Sequence, residues 1–571
     1  MHLGLPTRSV HGLPIIEHAE FGRNVPDEAM PDEDKMNLGK IYHMGKEEAA
    51  GLILNRQAMA SHTFITGSTG TGKSNAVYHL LDEITKNGQT TFLVVEPAKG
   101  EYKNVFGNCT DVQVFGTNPR ETPLLRMNPF AFPENIHILE HIDRLVEIFN
   151  ACWPMYAAMP AVLKDAIERS YQKVGWDLRN SESEKGVFPT FFDLLDILPG
   201  VIEESHYSKD TQSDYVGALC TRVKSLTNGI YGSVLCAEDA LTDEALFDRN
   251  VIVDLSRVGS METKSLLMGI LVMKLQEYRM CSSGMNSRLR HVTVLEEAHN
   301  LLRKTSAEQS QEGANLQGKS VEMLANAIAE MRTYGEGFII ADQAPGLLDM
   351  SVIRNTNTKI ILRLPDEEDR KLVGKSAALK EAQIDELSKL PLGVAAVYQN
   401  EWPEAVLCKI EAYPMPENAV YHKPSKMPHE INAEFVFGQL AVGKELEPLS
   451  ISEMEQLKLW LKRHETVLKP EDDRYLERVF AGGELDVAKT RKAVFDFFGG
   501  IGTVVDYCAA AKKSLTPRKE FLEQLQGQYG LKAAAADWVL NSVISMGMSL
   551  NPDAKAVDNL RTNFEQQGGR V

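Results

Sequence analysis

The residues Gly67-Ser68-Thr69-Gly70-Thr71-Gly72-Lys73-Ser74 follow the spacing GxxxxGK[ST], which wraps main-chain N–H groups around a phosphate. Glycine lets such a loop turn inward, Lys73 reaches the β- and γ-phosphates, and the Ser74 hydroxyl is a ligand for Mg²⁺. Asn75 follows at the start of the helix and is grouped with the ATP cradle. A cradle binds; hydrolysis needs carboxylates at the end of a second strand. His291-Val-Thr-Val-Leu-Glu296-Glu297 supplies them, because its apolar and β-branched residues place both acids at the carboxyl end of a buried strand, where open α/β sheets bind ligands. Glu296 is expected to hold a water on Mg²⁺, and Glu297 to orient and deprotonate the attacking water. His299 has no HExxH partner and reads as a packed or capping histidine.

Phosphoryl transfer also uses a group that senses the γ-phosphate and a cation on the developing charge. Gln343, after the apolar strand Gly337–Ala341 and Asp342, fits the first role, or else is a turn residue ahead of Pro345. Arg363 sits in the apolar run Ile360-Ile-Leu-Arg-Leu, where a charge is costly without a partner. Arg332 ends a helix ahead of the Gln343 strand, and Arg354 is a third candidate; each could instead pair within the chain. Two strings, Pro31-Asp-Glu-Asp-Lys35 and Pro365-Asp-Glu-Glu-Asp-Arg-Lys371, imitate nuclease motifs. Their acids are compact rather than divided between strands, so they read as solvated turns and no nuclease activity is expected.

These side chains need strands and helices to hold them. An apolar run, His62 to Thr66, precedes the loop and a helical pattern, Asn75 to Ile84, follows it. Further strands are predicted near 89–96, 112–116, 251–255, 291–296, 337–341, 359–364 and 394–398, alternating with helices, which predicts an α/β core with a mainly parallel sheet. Five segments are expected: an N-terminal arm or connector (1–45), the first part of the core (46–130), a helical insertion (131–245), the second part of the core (246–424) and a C-terminal helical domain (425–571). The polar, small stretch 306–320 reads as a mobile loop.

At 571 residues, with 43% hydrophobic and 25% charged content, the chain can fill a large core. A formal net charge of −18 excludes a generally basic surface and confines nucleic-acid contact to a strip or a channel. Seven dispersed cysteines without a CxxC pair indicate neither a disulfide framework nor a zinc site. No apolar run is long enough to span a bilayer, so a soluble, cytoplasmic protein without a membrane partner is expected.

Seven strings in order carry a resemblance: GSTGTGKS; VVEPAKGEY with Glu96 and Glu101; RNVIVDLS with Asp254; LEEAHN; EMRTYG with Arg332; ADQAP with Gln343; and ILRL with Arg363. Together, over about residues 36–410, they resemble the HerA branch of the HerA–FtsK superfamily of DNA-pumping ATPases. The resemblance implies a RecA-like core in a homo-hexameric ring that threads double-stranded DNA and hydrolyses ATP at subunit interfaces. It also implies a partner nuclease or a Sir2-like effector, in DNA end processing or anti-phage defence. Gly67 to Ser74 would then bind nucleotide, Glu296 and Glu297 form the acidic pair, Gln343 act as sensor, and Arg332 and Arg363 serve as interface cations. Lys99, Lys103, Arg303, Lys304 and Lys319 flank strand ends where pore loops would project. Two alternatives stand beside the motor: an ATP-dependent ring scaffold that activates an effector, and a conjugative secretion-type ATPase. The chain departs from the pattern in having Glu296 where Asp is usual, in showing no N-terminal β-barrel, and in its unmatched C-terminal helices.

Overall fold

The computed structural model describes residues 18–23, 30–86, 88–156, 158–183, 187–237, 240–305, 313–415 and 419–423; beyond these it describes scattered positions from 475 to 498 and most of 500–567. The chain divides into two compact units, Met1–Lys423 and Pro424–Val571.

In the first unit, strands β1 (Lys35–His43), β2 (Lys46–Asn55), β3 (Thr63–Thr66), β4 (Thr91–Glu96) and β5 (Val112–Gly116) come early in the chain. A small ribbon follows, β6 (Trp176–Asp177) and β7 (Glu182–Ser183). After it come β8 (Asn250–Asp254), β9 (His291–Glu296), β10 (Glu336–Asp342), β11 (Thr358–Ile361), β12 (Val394–Gln399) and β13 (Val406–Ile410). All but the ribbon form one sheet in the order β2-β1-β13-β12-β11-β3-β10-β9-β4-β8-β5. From β11 to β5 every pairing is parallel, while β2, β1, β13 and β12 add an antiparallel wing. Every residue of β3, β9 and β10 is buried, as a parallel sheet covered on both faces requires. One such layer packs Val77 and Leu80 of helix α1 (Lys73–Thr85) with Ile65, Val94, Val294, Ile339 and Ile360 from the strands.

The expected arm through residue 45 gives way at Lys35, because β1 is a strand of the main sheet. Met36, Leu38 and Ile41 are buried between mostly polar or small neighbours, a pattern the acidic prelude Pro26–Asp34 obscures. Within the stretch expected to be a mobile loop, residues 306–312 lie outside the described residues, and from Gly313 the chain is a helix to Glu330. Packing of that helix against helix α3 (Ile138–Cys152), which follows the short helix α2 (Tyr102–Phe106), outweighs its small polar composition. Between β5 and β8 lies a run of helices, α3 among them; His141 and Arg144 of α3 meet the buried Glu277 of Met261–Ser282 at 2.9 and 3.3 Å.

The second unit, taken by itself, has helices Gly500–Ala511, Pro517–Tyr529, Ala533–Leu550 and Ala554–Gln566 around Tyr507, Phe521, Leu540 and Phe564. Within the C-terminal domain expected to be helical (425–571), nearly all of 425–485 lies outside the described residues. Among the described residues no helix is long and apolar enough to cross a membrane.

His62, which leads into β3, accepts a hydrogen bond at Nδ1 from the Phe338 N–H at 3.1 Å. Burial holds its imidazole down at about 4. With the folded value below the unfolded one, the stabilisation is complete above the ordinary histidine range and is lost as pH falls through about 4. The loss reaches about 3 kcal/mol by about pH 4. His62→Asn keeps an acceptor without the titration, so urea melts should show a shallower acid loss for the variant; equal losses would remove His62 as a cause.

Candidate functional site

Strand β3 runs directly into the loop, and the loop into α1. Gly67 lies against β11: an added Cβ would stand 2.7 Å from Leu362 Cβ and 2.8 Å from Thr71 Oγ1, so no side chain fits. Gly72, at φ +105, turns the chain into the helix in a region that side chains disfavour. The Ser68 N–H and hydroxyl are bonded to the Arg363 carbonyl at 3.0 and 3.1 Å. Helix α1 has no side-chain cap at Gly72, so its first N–H groups face the loop without an acceptor among the described residues. That uncapped positive helix end beside a lysine fits the phosphates of a nucleotide.

Across the loop, β9 delivers the acids. Glu297 takes a left-handed conformation (φ 46) as the strand ends, and its carbonyl is held by the N–H and amide of Asn300 at 2.9 and 2.7 Å. This turn brings both carboxylates to Lys73 Nζ, Glu297 at 3.4 Å and Glu296 at 3.7 Å. All three are at least nine-tenths buried. Burial raises the Glu296 carboxyl above its usual range, with Lys73 opposing it. Glu297 Oε2 is buried without a hydrogen-bond partner, although His299 Nδ1 lies 3.5 Å away. An orphaned buried acceptor next to a lysine is costly unless a donor such as water arrives. Ser74 opens α1 on the loop side and Glu296 ends β9 across from it; a hydroxyl and a carboxylate are the oxygen donors that suit Mg²⁺.

Gln343 also reaches the loop: its Oε1 accepts from Thr69 Oγ1 at 2.8 Å. Arg363 is exposed beside the loop and lends it a carbonyl. Three sequence candidates lie elsewhere. Asn75 spends its side chain on the main chain of Glu411 and Tyr413 at 3.0 and 2.9 Å, so that group clamps the chain after β13 instead of facing the cradle. Arg354 ends a short helix on the surface. Arg332 precedes β10 and is exposed at the amino end of the sheet, opposite the loop. Seven residues of β10 separate the two edges, roughly 20 Å at strand rise.

The nuclease-like strings are structural. Asp34 pairs with Arg288 at 2.9 Å, and Asp366 caps the helix Glu367–Ser376. Lys103 is no free lumen cation, since it is mostly buried between Asp254 at 2.6 Å and Glu121 at 3.0 Å.

Two further groups touch the acids: Tyr102, without a role in the sequence reading, and His299, read there only as packed or capping. Tyr102 Oη donates to Glu296 Oε1 at 2.5 Å. It is placed by Glu96, at the end of β4, which accepts the N–H groups of Glu101 and Tyr102 at 2.7 and 3.1 Å. Burial pushes the Glu96 carboxyl up to about 8, against those two donors. His299 donates its main-chain N–H to the fully buried Asp342 at 2.8 Å, and its Nδ1 lies 2.9 Å from the same oxygen, which raises the imidazole pKa. The strings VVEPAKGEY and EEAHN contain these residues, but spacing alone does not tell which pairs will meet.

Residues 36–274 match the family described as the central domain of the helicase HerA. A probable helicase of Methanocaldococcus jannaschii is 23% identical over 436 residues, 70% of this chain and 76% of that protein. The DNA double-strand break repair helicase HerA of Sulfolobus acidocaldarius is 25% identical over 393 residues, 66% of this chain and 69% of that one. Among solved structures, VirB4 of Thermoanaerobacter pseudethanolicus superposes with a TM-score of 0.51 at 17% identity, covering 67% of this chain and 98% of that one; this likeness speaks to the fold. Phosphate loop, paired glutamates and a parallel sheet ordered around them agree with these matches, which together support a HerA-type ATPase of the HerA–FtsK superfamily.

Proposed function

We propose that the chain is a motor: an ATP-hydrolysing DNA translocase or helicase that works as a homo-hexameric ring, with ATP cleaved at the contacts between subunits. The carrying observation is the division of the machinery between opposite edges of one sheet. Lys73, Glu296, Glu297 and Gln343 converge at the carboxyl edge, whereas Arg332 is exposed at the amino edge, roughly 20 Å away by strand rise. An arginine cannot span that distance to its own loop, but in a closed ring one subunit's amino edge can face the next subunit's carboxyl edge.

In this reading Lys73 and the N–H groups of Gly67–Ser74 would hold the phosphates, and Ser74 with Glu296 would hold Mg²⁺, which neutralises charge on the β- and γ-phosphates when bound. Glu297 takes the proton of the attacking water at its unpartnered Oε2. Gln343, held by Thr69, reports the γ-phosphate to β10, and the His299–Asp342 contact ties the acidic strand to that same strand. DNA is the track by analogy with the helicase relatives, and an acidic chain that grips only locally fits a ring with an internal channel. A nuclease or other effector is its expected partner, in DNA end processing or antiviral defence.

Native mass spectrometry with ATP and Mg²⁺ should find six copies, and steady-state hydrolysis should rise when duplex DNA is added. A chain that stays monomeric, with hydrolysis indifferent to duplex, would end this reading.

A further inference from the structure

Beyond the phosphate loop, along the same edge of the sheet, the exits of β4, β5 and β8 enclose an open cleft of about 710 Å³. Its lining carries five lysines and arginines against a single acid, Glu121, in a chain whose net charge is −18. Glu121 is already bridged by Lys103 at 3.0 Å and Arg257 at 2.6 Å. Arg120 and Lys423 have no acidic partner among the described residues; Lys423 only donates to the Pro119 carbonyl. Lys99, in the left-handed region at φ 57, projects from the turn after β4 and is half exposed. Lys99 also has Glu101 at 3.6 Å, so the protein's own acids offset part of this charge; cations from four separate chain segments still converge on one open cleft, two of them, Arg120 and Lys423, without an acidic partner among the described residues.

The wall of this cleft is α2, and three successive residues of that helix face three different things. Tyr102 bonds Glu296 at 2.5 Å, Lys103 bonds Asp254 at 2.6 Å, and Asn104 accepts the Tyr421 N–H at 3.0 Å. Asn108 adds two bonds to the same outer segment, the Val420 carbonyl at 2.9 Å and the His422 N–H at 3.1 Å. The helix itself is pinned by the Glu96 carboxylate at its start. A polyanion pulling on the outer segment therefore bears on the one helix that holds Glu296.

We propose that this cleft docks the phosphate backbone of nucleic acid, and that α2 relays its occupation to the ATPase site through the Tyr102–Glu296 bond. The inference rests on the motor reading and assigns it a place of contact and a route of stimulation. A continuous phosphate chain suits the cleft better than a base-reading partner, since the lining offers charge on flexible stems and few groups that pair with base edges.

The test combines Arg120→Glu with Lys423→Glu, both remote from the phosphate loop, so that ATP binding serves as the control for folding. Anisotropy of a fluorescent duplex should show binding about ten-fold weaker or worse, with the salt slope reduced by about 2, as expected for two lost phosphate contacts. Hydrolysis without DNA should stay within about two-fold of the parent. Tyr102→Phe should bind the duplex normally yet lose most of the stimulation. If the parent binds duplex and is stimulated while the double reversal matches it in affinity and slope, the cleft is not the contact and the motor reading survives. If Tyr102→Phe is stimulated fully, the relay is wrong. Should a fluorescent ATP analogue still bind a Lys73→Ala chain and be released by the double reversal, the cleft takes free nucleotide instead of nucleic acid. A parent chain that neither binds nor responds to duplex would sink both readings.

Discussion

Glu297→Gln is expected to bind ATP at least as tightly as the parent chain and to turn it over at least about a hundred times more slowly. The amide keeps the acceptor that faces Lys73 at 3.4 Å and the shape of the left-handed turn, so the cradle survives. What disappears is a buried carboxylate oxygen without a partner, the atom placed to receive a proton from water. Removing a negative charge beside the phosphate-binding lysine should also ease the approach of a triphosphate. Binding of a fluorescent ATP analogue and single-turnover hydrolysis separate the two effects. Retained turnover would strip Glu297 of its role; lost binding would mean that the carboxylate holds the loop together.

The second large effect concerns Arg332. Arg332→Ala should lower hydrolysis by about 10³-fold in uniform rings, the order found when a cation on the transferring phosphoryl group is removed. Mixed one to one with an inactive Lys73→Ala chain, it should regain up to about a quarter of parental activity, because that share of contacts joins an intact loop to an intact arginine. Arg363→Ala should not recover on mixing. Its main chain is part of the wall of its own loop, so we expect its side chain to act on that same loop. Absence of recovery for Arg332 would place it inside its own subunit or make it merely structural. The two arginines, read from the sequence as equivalent interface cations, are distinguished by which edge of the sheet each occupies.

The local order of residues was enough for everything that depends on neighbours in the chain. The phosphate loop follows from eight consecutive residues, the acidic pair from a buried strand and its end, and the α/β class from alternating runs. Glycine and lysine at fixed offsets leave few other conformations, which is why Gly67, Gly72 and Lys73 fell into place. The boundary at Lys35 was missed for the opposite reason: β1 mixes its apolar residues with polar ones and breaks register, and one of its two partners, β13, lies far along the chain, Ile410 pairing with Gly39 across the whole core. Only the folded chain could decide which side chains separated by hundreds of residues would meet. Tyr102 reaches Glu296 because β4 and β9 are parallel neighbours with their carboxyl ends aligned, and Asn75 turns away from the loop because residues 411–413 happen to pass it. Arg332 and Gln343, eleven positions apart in sequence, end on opposite edges because a buried strand between them must run the full depth of the sheet. Sequence determined the chemistry available; the order and direction of strands determined which of it meets at the loop and which is carried to the opposite edge of the sheet.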